Sequence, residues 1–406
     1  MNRRQTYLFA TLLLLTIACN QDNHSSKKKN EIPNDKMHNT VINSLNFDAT
    51  NIVTLANQYL MQPPVPITEF TCPRSAGGIH DFYSEGDYWW PNPDDPNGPY
   101  IRKDGQSNPN NFVAHRKAMR NINQWVSALV AAYKITRNEK YATHALKHLN
   151  AFFIDKKTLM NPNLLYAQAI KGRVEGRGIG IIDTIHLIEI AKAIEVLAEL
   201  GFLKGEPWAA LKNWFNEFAE WLNTHPYGLD EKDHGNNHST WWAAQLAAFA
   251  HLAEREDLME VARQQFKKLL PEQMAQDGSF PDELSRTKPY NYSLFNLEGY
   301  SVLCQIASTK EDNLWEFESK HGSFKKAWKF MAPYIKDKST WIKPPDVQHF
   351  DELPIQSPGF LFAALAYKNE DFLSIWKTLN PERKSQEIIR TYPIWQPVLW
   401  ADNFEQ

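Results

Sequence analysis

Residues 235–252 read GNNHSTWWAAQLAAFAHL, a polar start followed directly by a long apolar run. Glycine and asparagine are common where helices begin, and the apolar run extends from Trp241 to Leu252. This stretch therefore predicts a helix whose first turn carries Asn237 and His238. An amide and an imidazole at a helix start can bind a ligand, but they can equally be a helix cap and its polar neighbour.

Apolar residues recur at three- and four-residue spacing through most of the chain. The helical segments that this spacing predicts are 117–134, 141–154, 182–199, 208–222, 240–253, 258–270, 294–307, 324–335 and 359–366. Short connections join the helices in pairs, as in antiparallel helical hairpins, and no alternating strand pattern is sustained. The sequence therefore predicts an all-α fold that begins near Leu45 and has no appended β-domain.

Helical hairpins can be arranged as an open solenoid or as a closed α/α toroid. The connections at 72–112, 160–180, 226–238 and 273–292 are long and rich in glycine, asparagine, aromatic and charged residues, whereas others are short. Long connections gathered at one end of a toroid would build a cleft there, and no fixed-length repeat supports a solenoid. We therefore predict an incomplete α/α toroid, a single domain over residues 45–406, with the four long connections on one rim.

Residues 1–18 have the features of a bacterial lipoprotein signal peptide. Two arginines precede an apolar stretch, Tyr7 to Ile17, that is too short to span a bilayer. The next residues complete a sequence, Leu15 to Cys19, that resembles the lipobox of such proteins. We expect a flexible polar tether over residues 19–44 and membrane contact only through a lipid anchor on Cys19. The protein would then be an exported lipoprotein, periplasmic or at the cell surface.

The composition of the chain excludes some classes of partner. The 406 residues carry a formal net charge of −3, which argues against a nucleic-acid-binding protein, since such a protein needs a broad basic face. Aromatic residues make up 13% of the chain and include 14 tryptophans, which suits either a sugar-binding cleft or a bulky core. Cys72 and Cys304 are far apart in sequence. They could form a disulfide in an oxidising compartment, or they could remain as two unpaired thiols.

A second polar block, DGSFPDELSRTKPYNY, occupies residues 277–292. It places Arg286, Tyr290 and Tyr292 just before the apolar run from Leu294 to Ile306. The glycine and the two prolines of this block favour an ordered, exposed loop on the rim. The block therefore brings a cation and two phenols to the same end of the predicted fold as the first block.

Asparagine, histidine, arginine and tyrosine together suit the removal of a proton from a carbon next to a carboxylate. Neutral donors and a cation can bind the carboxylate, and a tyrosinate can take the proton. Because tyrosine has a reference pKa of about 10, it needs a nearby cation, which Arg286 or a protonated His238 could provide. His234 raises the question of zinc, but Gly235 breaks the helix that would align it with His238. We expect neither a metal nor another cofactor, because no cysteine or acidic ligand has a fitting spacing.

At this point the two blocks resemble the α/α-toroid alginate lyases. The resemblance rests on Asn237-His238 followed by tryptophan, on DGSFPDELSR at residues 277–286, and on NYSL at residues 291–294, and it extends over about residues 77–300. It implies a catalytic domain that cleaves a polyuronate by β-elimination. It also implies that Asn237, His238, Arg286 and Tyr292 are the catalytic residues.

The choice of base and substrate stays open between close alternatives. Either Tyr290 or Tyr292 could be the base, and we favour Tyr292 because it belongs to the matching NYSL run. In mannuronate and glucuronate, H5 and the C4 leaving oxygen lie on the same face, so one tyrosine can serve as base and acid. In guluronate they lie on opposite faces, and a second group such as His238 would be needed. The predicted partner is therefore an anionic polysaccharide, polymannuronate-type alginate or a related polyuronate such as glucuronan.

Further residues are candidates for binding the sugar chain. The segment 77–92 mixes aromatic residues with glycine and predicts a lid or sugar platform. Residues 172–180 carry two arginines suited to carboxylates at neighbouring subsites, with surface salt bridges as the alternative. The predicted substrate-binding residues are Tyr290, Trp89, Asn111, His115, Arg116, Arg173 and Arg177.

Two other functions compete with the lyase interpretation. A glycoside hydrolase acting on uronic-acid oligosaccharides would need two positioned carboxylates. Asp282, Glu283 and Glu298 are available, but the side chains of adjacent residues such as the first two do not readily converge. A non-catalytic glycan-binding lipoprotein would fit the signal peptide and the aromatic content, but it leaves the grouping of Asn237 with Arg286 unexplained.

Overall fold

Helices make up most of residues 48–404, the part of the chain that the computed structural model describes. The predicted signal peptide, Cys19 and the tether lie outside the described residues. The helices are α1 Ala49–Tyr59, α2 Ala114–Thr136, α3 Glu139–Phe153, α4 Leu187–Glu199, α5 Gly205–Thr224, α6 Pro226–Lys232, α7 Asn237–Leu252, α8 Glu256–Gln273, α9 Pro281–Leu284, α10 Pro289–Ala307, α11 Lys325–Lys336, α12 Pro358–Ala366, α13 Glu370–Thr378 and α14 Gln386–Thr391.

Five of these helices, α2, α4, α7, α10 and α12, form an inner ring in which each helix packs against the next. The inner helices are buried on almost every face; in α7, for example, all residues except His238 and His251 are buried. Helices α3, α5, α8, α11 and α13 pack behind them and keep one exposed face, as amphipathic helices do. A 3₁₀ segment, Pro397–Phe404, contacts α2, α4 and α12 and so lies between the two ends of the ring. The predicted all-α, incomplete α/α toroid is confirmed.

Short strand pairs accompany the helices without forming a larger sheet among the described residues. The strands are β1 Tyr83–Glu85, β2 Trp89–Trp90, β3 Ile101–Arg102, β4 Tyr166–Ala169, β5 Glu318–Ser319 and β6 Gly322–Ser323. β1 pairs with β4 in parallel, β2 with β3 antiparallel and β5 with β6 antiparallel. The β1–β4 pair joins the connections 72–112 and 160–180, since Tyr83 in the first is paired with Tyr166 in the second.

All nine predicted helical segments are present, with ends that differ by a few residues. Two of the predicted connections contain more helix than expected: residues 226–232 form α6, and α10 begins at Pro289. Tyr290 and Tyr292 therefore lie in the first turn of a buried helix, and the prediction of an exposed loop there was wrong. Proline at the first or second helical position of both helices explains the early start, since its fixed φ suits a helix start.

Two further observations concern the thiols and the membrane. Cys72 and Cys304 are both free thiols, and Cys304 is buried within α10. The two cysteines therefore do not form the disulfide that the sequence left possible. Between residues 48 and 404, no helix combines the length and the apolar character needed to cross a membrane.

Candidate active site

A cavity of about 390 Å³ lies at the end of the ring where the long connections meet. Side chains from all four connections line it, so the prediction that they share one rim is confirmed for these residues. The lining residues are Asp87, Tyr88, Trp89, Arg102, Gln168, Arg177, Ile179, Ile182, Asp183, Ile185, Asp230, His234, Asn237, His238, Arg286, Asn291, Tyr292, Phe295, Arg390 and Thr391. We refer to this cavity as the cleft.

The start of α7 places Asn237 and His238 at the cleft. Asn236 is the N-cap, and its side chain accepts a hydrogen bond from the His238 backbone N–H at 3.0 Å. Gly235 precedes the cap with a φ of 92°, a backbone conformation that glycine adopts without strain. The predicted helix start is confirmed, and the cap is the first of the two asparagines.

Asn237 is held by a buried carboxylate. Its Nδ2 lies 2.8 Å from both carboxylate oxygens of Glu283, and its backbone N–H donates to the same side chain at 2.8 Å. Burial raises the pKa of Glu283 to about 7, although the hydrogen bonds from Asn237 act against this rise. Glu283 therefore orients the Asn237 side chain at the cleft, and the assignment of Asn237 as a catalytic residue stays a prediction.

His238 is paired with a second buried carboxylate. Its Nδ1 lies 2.7 Å from Oε1 of Glu231, which is fully buried and whose Oε2 has no hydrogen-bond partner. Burial raises the pKa of Glu231 well above its ordinary value, and burial with Arg286 and Arg177 lowers the pKa of His238 to about 3. The expectation of a protonated His238 is therefore wrong. With both groups neutral, the Glu231 carboxyl group carries a proton and donates it to Nδ1. The imidazole then carries its own proton on Nε2, from which it can donate into the cleft.

His234 lies beside His238, with their ring centroids 4.9 Å apart. The predicted helix break at Gly235 is present, since α6 ends at Lys232 and α7 begins at Asn237, but the turn between the two helices still brings the two rings together. Within residues 48–404, no group of three or more histidine, cysteine, aspartate or glutamate side chains is arranged to hold a metal.

Arg286 and Tyr292 are in direct contact at the cleft. Nη2 of Arg286 lies 3.2 Å from the Tyr292 hydroxyl oxygen, and the guanidinium lies 4.3 Å from the centre of the tyrosine ring. The same Nη2 donates to Asp104 at 3.0 Å, and the Asp104 carboxylate also accepts from Arg102 at 2.6 Å. One carboxylate, which the sequence did not single out, thus orients two arginines that line the cleft.

The Tyr292 hydroxyl is protonated in the free protein. Burial raises the pKa of Tyr292 well above its ordinary value, and the neighbouring Tyr88 raises it further. Arg286 and Arg390 lower the pKa, but by less than burial raises it. The predicted influence of Arg286 on the phenolate therefore has the right direction, but it does not outweigh the loss of hydration.

Tyr290 is not at the cleft, and its assignment to substrate binding is wrong. The side chain is fully buried, its hydroxyl donates to the Tyr334 carbonyl at 3.0 Å, and its ring packs against Trp341 and Phe350. Residues two apart on a helix point about 200° away from each other, so only one of the two tyrosines in this turn can face the cleft. That residue is Tyr292.

Asn111, His115 and Arg116 support the cleft from outside, and their assignment to substrate binding is also wrong. Asn111 Nδ2 donates to the Gly86 carbonyl at 2.9 Å, and His115 Nδ1 accepts from the Tyr83 N–H at 2.9 Å. Arg116 is buried between two cleft carboxylates, which are Asp87 and, at 2.9 Å, Asp183. These side chains already have protein partners, because they lie in or just before the first turns of buried helix α2. Nη2 of Arg116 is the exception, since it is buried without a hydrogen-bond partner.

Of the remaining predicted residues, Trp89 and Arg177 line the cleft. Arg177 is held by Gln168, whose carbonyl and side-chain oxygen each accept from it at 3.0 Å. Arg173 is exposed outside the lining, with its guanidinium 5.1 Å from the centre of the Trp89 ring. The aromatic ring and the two arginines thus form one edge of the cleft, with Arg173 at its outer side.

Several cleft residues were missed by the sequence argument. Arg390 on α14 lines the cleft, pairs with Glu387 at 2.8 Å and lies 3.5 Å from Asp87. Burial lowers the pKa of Arg390, but these carboxylates raise it by more, so the pKa lies well above its ordinary value. No spacing signal links residue 390 to blocks about a hundred or more positions earlier, so only the folded ring reveals its location. Tyr88 and Asp104 were missed for the same reason.

Comparison with known proteins places the chain in a family. A sequence model described as alginate lyase matches residues 67–341. The chain is similar to the crystal structure of an alginate lyase from Bacteroides ovatus, with a TM-score of 0.77 and 29% identity over 88% of this chain and 97% of that one. No curated protein is significantly similar in sequence.

More distant structures share the fold. Alginate lyase A1-III from Sphingomonas species A1 has a TM-score of 0.52 and 15% identity over 80% of this chain and 89% of that one. A histidine-to-alanine variant of A1-III complexed with a tetrasaccharide has a TM-score of 0.53 and 14% identity, over 83% of this chain and 95% of that one. Because the family model matches more than half of its residues, this chain belongs to the alginate lyase family and is a polysaccharide lyase.

Proposed function

We propose that this lyase cleaves alginate by β-elimination, with Tyr292 as both base and acid and with polymannuronate-type chains as the preferred substrate. The observation that carries the proposal is the contact of Arg286 with the Tyr292 hydroxyl at 3.2 Å in a cleft that also contains His238. Membership of the alginate lyase family supports the substrate class. Glucuronan, whose leaving oxygen has the same geometry, remains the nearest alternative substrate.

The first requirement of the reaction is to stabilise charge on the substrate carboxylate. The C5 proton of a uronate is weakly acidic because the adjacent carboxylate is already negative. Arg286 would bind that carboxylate, and His238 would donate to it from Nε2, so that the enolate-like dianion is stabilised as it forms. Asp104 and Glu231 would hold these two groups in place, as their hydrogen bonds indicate. Asn237 would fix the start of α7 through Glu283.

The second requirement is a proton acceptor that can also return a proton. Tyr292 as phenolate would take H5 from the substrate and become a phenol. The same hydroxyl would then protonate the C4 oxygen as the C4–O bond breaks, which regenerates the phenolate. This cycle needs both atoms on one face of the sugar, which is why a single tyrosine favours mannuronate or glucuronate over guluronate.

The carboxylates suggested for a hydrolase have other partners. Glu283 accepts three hydrogen bonds from Asn237, and the fully buried Glu298 accepts the backbone N–H of Gly359 at 2.9 Å. Asp282 lies on the exposed side of the short helix α9. These three residues therefore do not form the facing pair that glycoside hydrolysis requires.

Absorbance of the unsaturated product tests the proposal. The protein is incubated with polymannuronate, polyguluronate, glucuronan and hyaluronan while ultraviolet absorbance is followed. We expect the fastest increase with polymannuronate. Tyr292→Phe should lower kcat by at least about 10²-fold with little change in KM, because the hydroxyl acts mainly in the transition state.

Tyr290→Phe is the matched control, because it removes a hydroxyl two residues away that faces the core. This variant should keep most of the activity. If both variants retain full lyase activity, the tyrosine mechanism is wrong and His238 becomes the leading base.

Export and lipidation belong to the same proposal. They are supported by the lipobox-like sequence that ends at Cys19 and by the apolar stretch before it. The full chain should appear in the membrane fraction of a bacterial host and dissolve in detergent, whereas Cys19→Ser should not be lipidated. A wild-type protein found entirely in the soluble fraction would contradict the anchor without affecting the proposed chemistry.

A further inference from the structure

We propose that a ledge leading out of the cleft, formed by Trp89, Arg173, Tyr100 and Lys171, binds the polyuronate chain beyond the cleft and favours long chains over short ones. This inference rests on the proposed function, because it extends the same site along the same substrate. Trp89 lines the cleft, whereas the other three residues lie outside its lining. The ledge therefore begins at the cleft and continues onto the surface beside it.

The side chains of the ledge contact one another in sequence. The guanidinium of Arg173 lies 5.1 Å from the centre of the Trp89 ring, and its Nε donates to the Tyr100 carbonyl at 2.9 Å. The Lys171 ammonium lies 5.7 Å from the centre of the Tyr100 ring. Aromatic rings and cations therefore alternate along the ledge, in the order Trp89, Arg173, Tyr100 and Lys171.

Backbone hydrogen bonds give the ledge one conformation. Trp89 belongs to β2, and Tyr100 directly precedes β3, which pairs with β2. The two cations stand in the turn after β4, which Ile170 and Val174 close with hydrogen bonds of 2.8 and 3.1 Å. The Lys171 carbonyl accepts the Tyr100 N–H at 3.1 Å, which joins the two segments. Because this backbone is ordered before the substrate arrives, binding costs little backbone entropy.

The two cations of the ledge are available to an anionic ligand. Within residues 48–404, Lys171 and Arg173 contact aromatic rings and a backbone oxygen and no carboxylate. Both residues are exposed. Exposed acidic residues stand further along the same two segments, at Asp94, Asp95 and Glu175. An anionic chain would therefore be attracted to the ledge and repelled by the surface that flanks it.

A polyuronate carries both kinds of group that such a ledge binds. Each sugar unit has one carboxylate and an apolar face of C–H groups. Arginine and lysine bind carboxylates, and aromatic rings provide large apolar surfaces. A neutral polysaccharide would use only the two aromatic rings of the ledge, so an anionic polysaccharide fits it better.

The ledge would act as a second binding point for the same chain. A long chain that reaches Lys171 while one of its sugars lies at Tyr292 is held in two places, whereas a short oligosaccharide at Tyr292 is held by the cleft alone. Linking two binding points raises the affinity without any new contact in the cleft. Exposed ion pairs are individually weak and are screened by salt, so the added affinity should be moderate and should fall as ionic strength rises.

The test is the binding of polymannuronate and of a mannuronate trisaccharide to Tyr292→Phe protein, measured by calorimetry at low ionic strength. Under the proposed function, the Tyr292→Phe substitution prevents cleavage during the titration. Adding Lys171→Glu should weaken polymannuronate binding about fivefold to tenfold, because a repulsion replaces an attraction, and should change trisaccharide binding by less than about twofold. At about 0.5 M NaCl the effect on polymannuronate binding should shrink to less than about twofold.

Lys140→Glu is the matched control. Lys140 is also an exposed lysine whose ammonium lies near a tyrosine ring, 4.6 Å from the centre of Tyr141, but it stands at the start of α3 and outside the cleft lining. The two substitutions change the net charge of the protein by the same amount. Lys140→Glu should therefore leave the binding of both ligands within about twofold. Circular dichroism and Tm verify that each variant is folded.

The outcomes separate the ledge from the proposed function. If Lys171→Glu leaves polymannuronate binding unchanged, or weakens trisaccharide binding equally, the inference is overturned and the proposed function stands. Equal losses in Lys171→Glu and Lys140→Glu would also overturn it, because the cause would then be the overall charge of the protein. Full activity of Tyr292→Phe would instead refute the proposed function. The ratio of kcat/KM for polymannuronate to that for the trisaccharide, compared between Lys171→Glu and wild type, would then test the ledge by itself.

Discussion

The proton shared by Glu231 and His238 decides what the imidazole can do in the cleft. Glu231 is fully buried, contacts His238 at 2.7 Å and has one oxygen without a partner. An ionised carboxylate in that position would be costly, so we infer that Glu231 is protonated and donates to Nδ1. The neutral ring must then carry its own proton on Nε2, which makes His238 a donor toward a substrate carboxylate.

This arrangement predicts different effects for two substitutions of Glu231. Glutamine has an N–H that can replace the carboxyl O–H and keep the same tautomer, so Glu231→Gln should lower kcat/KM by no more than about fivefold. Alanine leaves Nδ1 without a partner, so Glu231→Ala should lower it by about 10- to 100-fold, the scale of a mispositioned acid–base group. Steady-state kinetics on polymannuronate measure both. Equal losses in the two variants would mean that His238 requires the negative charge of Glu231 instead.

At the scale of single elements, the turn before α7 determines where Asn237 and His238 lie. Gly235 has a φ of 92°, and a Cβ added there would meet nothing within 4 Å. A side chain at this position would therefore cause backbone strain without a clash. Gly205 at the start of α5 has the same two properties, with a φ of 64° and open space around it, but it lies far from the cleft lining.

These two glycines form a matched pair for substitution. Gly235→Ala and Gly205→Ala should each lower the free energy of unfolding by about 1–2 kcal/mol, the cost of a left-handed backbone with a side chain. Only Gly235→Ala should also lower kcat, because relaxation of that turn moves His238. Chemical denaturation and steady-state kinetics measure the two effects. A loss of kcat in Gly205→Ala as large as that in Gly235→Ala would show that strain at α7 is not the cause.

At the scale of the whole molecule, buried carboxylates tie the inner ring together. Glu189 on α4 accepts the backbone N–H groups of Trp395 and Gln396 at 2.8 and 2.7 Å, and Glu298 on α10 accepts that of Gly359. Burial raises the pKa of each of these glutamates to about 7. Each carboxylate therefore joins an inner helix to a segment near the C-terminus, in a place where its charge is poorly solvated.

The raised pKa of Glu298 predicts how stability changes with pH. A glutamate in the unfolded chain has a pKa of about 4.3, so the folded protein binds more protons between about pH 4.3 and 7, and its stability falls as pH rises through that window. Glu298→Gln cannot ionise, so the variant should gain up to roughly 3 kcal/mol relative to wild type between pH 5 and pH 8. Tm at both pH values measures the gain. Glu272→Gln, at an exposed position on α8, is the control and should show none.

The sequence by itself determined where the helices lie and which four residues form the centre of the candidate active site. Helical periodicity is a local property, so the nine predicted segments were all found. Asn237, His238, Arg286 and Tyr292 stand in two short blocks whose residue types suit proton abstraction, and the fold brings all four to one cleft. The long connections were also recognisable from their composition, which is why their common rim could be predicted.

Only the tertiary structure decided which tyrosine faces the cleft and which groups support it. Almost every residue of α10 is buried, so spacing along the helix could not distinguish Tyr292 from Tyr290. Asn111, His115 and Arg116 were expected at the substrate but bind other parts of the protein instead. Tyr88, Asp104 and Arg390 were missed because their partners in the cleft are distant in sequence, as 204 positions separate Tyr88 from Tyr292. Glu231 is only seven positions from His238, but its full burial and its contact with the ring appear only in the folded chain. Burial and hydrogen-bond partners are properties of the packed ring, and a local pattern does not contain them.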